Sequence, residues 1–143
     1  MSEMLSRYER LERWATVLER SPTASLTPFR DVELLDAEIR AELQTSNSPL
    51  AIAYADPVLR RSGLGSDRFG DGSKFFGLSR FQAHRVLCSC GYFGPMQATE
   101  VARRIRTIAA RERLRRMWQP ANPLPTVARW IAALTRPAAA LRG

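Results

Sequence analysis

The stretch Phe75 to Trp118, FFGLSRFQAHRVLCSCGYFGPMQATEVARRIRTIAARERLRRMW, narrows the folds open to this chain more than any other part of it. Its first helix start is Ser79-Arg80-Phe81-Gln82. In such a capping box the Ser hydroxyl accepts from the N–H three residues on, and the Gln side chain returns to the N–H of the Ser. Leu78 and Ala83 flank it as a weak hydrophobic staple. Phe81, Val86, Leu87 and Cys90 then recur at near-helical spacing. Gly91 is the expected stop, since a left-handed residue at a helix C-terminus is cheap only for glycine. A loop with Gly94-Pro95 follows, and Thr99 is the expected cap of a second helix, with Glu100 in its first turn where the helix dipole favours an anion. Val101, Ile105 and Ile108 form its apolar stripe, continued with a shift of phase by Leu114, Met117 and Trp118.

Helical signals recur on either side. Residues 3–20 place Met4, Tyr8, Leu11, Ala15 and Leu18 on one face, with Trp14 beside it and Glu3–Arg7 and Glu9–Arg13 as i,i+4 pairs. Ser21-Pro22 ends that helix. Thr27-Pro28 reads as a cap with Pro at the first helical position, followed by Val32, Leu35, Ile39 and Leu43 at helical spacing. A rival reading makes 29–35 extended and starts the helix at Asp36; short apolar runs do not separate the two. Ser48-Pro49 and Asp56-Pro57 open two short helices, and a glycine-rich section holds a turn or two of helix around Phe69–Phe76. After Trp118, QPANPLP is an extended connector, and TVARWIAALT sets Val127, Trp130, Ile131 and Leu134 on one face of a last helix, 126–135. The expectation is an all-α protein: an irregular bundle of five or six helices over 1–118, then a proline-rich linker and an amphipathic helix and tail over 119–143.

Apolar content of 45% and charged content of 25% are those of a globular protein. The charge is unevenly placed. Residues 1–98 are net neutral, so the formal +8 of the chain resides in 99–143. All but one of the basic residues are arginine, Lys74 being the exception. Such a field favours an acidic protein or another polyanion, nucleic acid or an anionic membrane surface among them. The N-terminus MSEMLSRYERLERW is too charged for a signal peptide and shows no apolar core region, and no segment approaches the apolar length needed to cross a bilayer. Two cysteines in a C-x-C arrangement form no disulfide framework and suit a reducing cytoplasm.

FFGLSRFQAHRVL has the form of a short helix, a Gly-containing turn and a second helix. It resembles the turn and recognition-helix portion of bacterial helix-turn-helix repressors. The resemblance implies sequence-specific DNA binding by residues 69–90, with Arg80, Gln82, His84 and Arg85 facing the groove. Arginines from Arg103 onward would then hold phosphates. The first helix would carry two interior glycines, and Ala83 is small for the anchoring position.

His84 and Cys88 share a helical face with Cys90 nearby, three ligand types where a closed zinc site wants four. Residues two apart on a helix diverge, so Cys88 and Cys90 converge only where the helix frays at Ser89. A Cys/His catalytic pair there lacks an orienting group. The segment from Asp67 fails as a calcium loop, because Phe69 and Leu78 stand where oxygen ligands are required. The glycines before Ser73-Lys74 do not have P-loop spacing. No catalytic, cofactor or metal residue is therefore assigned. The leading expectation is a non-enzymatic cytoplasmic interaction or regulatory module whose basic C-terminal third docks an acidic partner through Arg103, Arg104, Arg111, Arg115, Arg116, Arg129, Trp130 and Ile131. DNA reading is the alternative, and a metal protein or enzyme built on His84, Cys88 and Cys90 ranks third. Homodimerisation is compatible with all three.

Overall fold

A computed structural model describes residues 4–118 of the chain. The described residues are all-α apart from one two-stranded ribbon. Met1–Arg111 make one compact unit and Glu112–Gly143 belong to a second.

The first helix, α1 (Arg7–Leu18), is set by a local device that the apolar spacing obscures. Ser6 and Glu9 close a capping box, with the Ser6 hydroxyl accepting from the N–H of Glu9 and the Glu9 carboxylate accepting from the N–H of Ser6. The helix therefore starts at Arg7 rather than at residue 3, and Met4 lies outside it, exposed. Leu11, Trp14, Ala15 and Leu18 are buried. The Trp14 ring stacks on Phe76 at a centroid distance of 4.0 Å, and its Nε1–H donates to the Pro49 carbonyl at 2.9 Å, so the indole is buried with its polar atom satisfied.

Thr27-Pro28 does not open a helix. The chain instead forms β1 (Ser25–Leu26), antiparallel to β2 (Met96–Gln97), and Phe29 makes a parallel bridge to Cys88. The reason lies in distant partners: the Thr27 N–H donates to Asn47 O and the Phe29 N–H to Leu87 O, each at 2.9 Å. Phe29 is buried against Phe69. A 3-10 turn covers Val32–Leu34, so 29–35 is not extended throughout, but α2 (Ala37–Ala41) does follow Asp36, where the rival reading starts its helix. The helical stripe expected here is not a core face, for Val32 is buried while Ile39 is exposed.

The two Pro-marked starts are realised. Ser48 caps α3 (Pro49–Ala55) through the N–H of Ala51, and Asp56 caps α4 (Pro57–Arg61) through the N–H of Leu59. Asp56 also receives a bidentate pair from Arg13 of α1, at 3.0 and 2.8 Å, with its carboxylate almost wholly buried. That guanidinium holds the Asp56 carboxyl below the usual carboxylate range. Next comes α5 (Phe69–Phe75). Its interior glycines are there for packing: a Cβ on Gly70 would collide with Ala41 and one on Gly72 with Leu50.

Gly77, with φ +62°, turns the chain into α6 (Arg80–Leu87), whose Ser79–Gln82 capping box is formed as the sequence requires. The C-terminus departs from expectation. Leu87 is the last helical residue, Cys88 is extended, and a 3-10 turn covers Ser89–Gly91. Phe29 draws the chain out of the helix, donating to Leu87 O and accepting from the Ser89 N–H. Gly91 is not left-handed; it is required because a Cβ would lie 2.9 Å from the carbonyl oxygens of His84 and Arg85. The buried side of this segment is Ala83, Val86, Leu87 and Cys88, while Phe81 and Cys90 are exposed.

The last described element is α7 (Ala98–Trp118), and it includes Thr99 rather than being capped by it. Its first two N–H groups donate to Ala24 O and Pro22 O at 3.0 Å, so carbonyls from the turn after α1 take the place of a capping side chain. Val101, Ile105 and Ile108 are buried as the stripe predicts. In the second unit, Glu112 pairs with Arg115, and Leu114, Met117 and Trp118 are exposed instead of continuing that stripe inward. The connector from 119 and the helix expected over 126–135 lie outside the described residues. Among the described residues no helix is long and apolar enough to cross a membrane.

A basic groove between α6 and α7

Arg104 fixes the geometry of this region. From α7 its guanidinium donates to the carbonyls of Arg85 at 2.7 Å and Gly91 at 2.5 Å, and its Nε to Glu100 at 3.1 Å. It also lies over the Tyr92 ring, 4.0 Å from the centroid. The Tyr92 hydroxyl in turn donates to Val86 O at 2.8 Å, and burial pushes its pKa up. Carbonyls freed where α6 ends early are thus met by a cation and a hydroxyl, the partners the negative end of a helix favours.

Beside this lock a hollow opens, lined by Phe81, Gln82, Arg85, Val86, Arg104, Thr107, Ile108 and Arg111. Val86 and Ile108 contribute buried apolar side chains, and Arg85 and Arg111 are exposed. Phe81 stands out at 67% exposure, with the Arg85 guanidinium over its ring at 5.8 Å. The hollow measures about 70 Å³. Pockets for cofactors and small-molecule substrates run to about 300–1,000 Å³. This one is well below that range. A larger, more open hollow of about 380 Å³ includes Arg10, Asp71 and Lys74, where charges of both signs offset one another.

The arginines of α7 are not equivalent. Arg103 pairs with Glu100 on its own helix. Arg106 reaches Glu12 and Glu19 of α1. Arg115 is paired with Glu112, and Arg116 is exposed in the second unit. Among the described residues no carboxylate pairs with Arg80, Arg85 or Arg111. Of the docking residues expected from sequence, Arg104 and Arg111 therefore meet at the groove, and Arg103 and Arg115 are engaged by glutamates. Arg129, Trp130 and Ile131 lie outside the described residues. The sequence reading missed Phe81 as a surface residue, because its apparent helical stripe counted it into the core.

The four DNA-facing residues expected from the repressor resemblance divide in the same way. Arg80 and Arg85 are exposed. The Gln82 Oε1 accepts from the Ser79 N–H at 3.0 Å and from Arg7 at 3.3 Å. His84 Nδ1 lies 3.8 Å from Cys90 Sγ. Cys88 does not join these two. Its side chain is buried, and desolvation pushes its thiol up to about 12, so it stays protonated. The early end of α6 separates the cysteines: the extended Cys88 turns inward, and the following 3-10 turn returns Cys90 to His84. Both are free thiols. No family model matches the chain, and neither a curated protein nor a solved structure matches it.

Proposed function

We propose that this chain is a non-enzymatic interaction module and that its α6–α7 groove docks an acidic, amphipathic segment of a partner protein. One apolar side chain of the partner enters between Val86 and Ile108 against Phe81, and flanking carboxylates meet Arg85 and Arg111. One observation carries the reading. Around this apolar hollow the guanidinium groups of Arg85 and Arg111 have no carboxylate of their own chain among the described residues, whereas most other arginines of α7 do. A charge already paired adds little to binding, while an unpaired one beside an exposed aromatic supplies both steering and an anchor. Residues 119–143 contain arginines and no acidic residue, so their sequence supplies no carboxylate side chain to complement Arg85 and Arg111. The free thiols are in keeping with a reducing, cytoplasmic setting.

Fluorescence anisotropy with labelled peptides that alternate Glu or Asp with Leu and Phe tests this reading, with random duplex DNA as the comparison. The expected result is peptide binding that weakens with salt and is lost in Arg85→Glu and Arg111→Glu. Preferential binding of the duplex, falling log-linearly with salt and losing site preference in Arg80→Ala, would overturn it in favour of DNA reading.

A further inference from the structure

We propose that Glu33, His84 and Cys90 form a solvent-accessible three-ligand site for a zinc-class divalent metal ion. One ligand atom from each lies within 4.8 Å of the other two, and Cys90 Sγ is 3.8 Å from His84 Nδ1. Tetrahedral coordination at Zn–N and Zn–S distances of about 2.0–2.3 Å sets neighbouring ligand atoms roughly 3.5 Å apart. Small rotamer adjustments of three accessible side chains therefore close the site.

The backbones behind those side chains are held independently. Glu33 rides on the 3-10 turn Val32–Leu34, where Arg40 donates to Val32 O at 3.1 Å and Leu35 O at 2.8 Å. His84 is in the body of α6. Cys90 is in the turn Ser89–Gly91, tied down by the Ser89 N–H to Phe29 O and by Arg104 to Gly91 O. An imidazole, a thiolate and a carboxylate make the mixed donor set that zinc accepts. The two anionic ligands offset the charge of the ion, and the thiol proton leaves to solvent as the metal enters. The carboxylate and the sulfur are close to each other as well as to the ring. A nucleophile–base–acid relay would set them on opposite sides of the imidazole, so the arrangement is convergent. With three protein ligands the fourth position stays open to water or to a group from a bound molecule.

Titrating the full-length, chelator-stripped protein with Co²⁺ tests the site. The expected spectrum has tetrahedral visible bands and a thiolate-to-cobalt charge-transfer band, both abolished by displacement with Zn²⁺. Cys90→Ser removes the charge-transfer band, Glu33→Ala and His84→Ala weaken Co²⁺ binding by at least about tenfold, and Cys88→Ala leaves the spectrum intact. Absence of a thiolate band in the unmodified protein, or a band that survives Cys90→Ser, overturns the proposal. Circular dichroism checks that Cys88→Ala remains folded; Cys90 is exposed, so Cys90→Ser decides the matter by itself.

Discussion

Arg106 and Arg111 sit less than two turns apart on α7, yet they meet opposite circumstances. Arg106 points to α1 and finds two glutamates, Glu12 and Glu19, with the Thr16 hydroxyl at 3.4 Å. Arg111 lines the groove toward α6 together with Arg85, and neither has a carboxylate among the described residues. Summed over the sequence these arginines are one basic field. In the fold, Arg106 is paired within the protein, whereas Arg85 and Arg111 have no carboxylate partner among the described residues. Net charge alone thus does not say which guanidinium groups are paired within the fold and which are not.

That division orders the expected effects of substitution. The largest belongs to the most buried pair. Asp56→Ala removes both the Arg13 partner and the cap of α4, and should cost about 2–4 kcal/mol in a denaturant melt. The Asp56 pKa is lowered by folding, so its contribution is present above the unfolded carboxylate value of about 3.9 and is lost as pH falls below it. Acid titration of stability should accordingly be shallower in Asp56→Asn than in the unmodified protein.

Arg104→Ala comes next. It leaves the carbonyls of Arg85 and Gly91 without their guanidinium donor and uncovers Tyr92, for an expected loss of about 1–3 kcal/mol. Arg106→Ala should cost less, about 0.5–1 kcal/mol, because its partners are partly exposed, and the cost should shrink as salt is added. Smallest of all, Arg111→Ala and Arg85→Ala should change stability by no more than about 0.5 kcal/mol while weakening the acidic peptide. A melting loss for Arg111→Ala as large as that for Arg104→Ala would erase the comparison, since it would make the groove arginine part of the fold.

The fold was most legible where signals are local. The Ser79 capping box and the Pro-marked starts at Ser48 and Asp56 all stand as the sequence has them. Each cap depends on atoms within three residues, and the distant Arg7 and Arg13 add to the caps at Gln82 and Asp56 without displacing them. Thr27-Pro28 has the same signature and fails, because Asn47 and Leu87 take the backbone bonds on either side of Pro28. The end of α6 was misplaced for a related reason: Phe29, far away in sequence, draws the chain out at Cys88 before Gly91 is reached. That early end also dissolves the His84–Cys88–Cys90 set and brings Glu33 in its place, a substitution with no sequence spacing to announce it. Arg80 and Arg85 could be named from sequence as surface groups. Phe81 could not, since helical periodicity assigns faces only once the neighbours of the helix are known.

By itself the sequence determined an all-α chain with a neutral body and a basic C-terminal third, along with the start points of α3, α4 and α6, because caps, prolines and charge are properties of short stretches. Only the tertiary structure decided which arginines are consumed and which remain, and which of two cysteines is turned outward. Ion pairing and burial depend on distance in space, and Glu12 and Glu19 come to Arg106, or Glu33 to His84, only after the helices have packed.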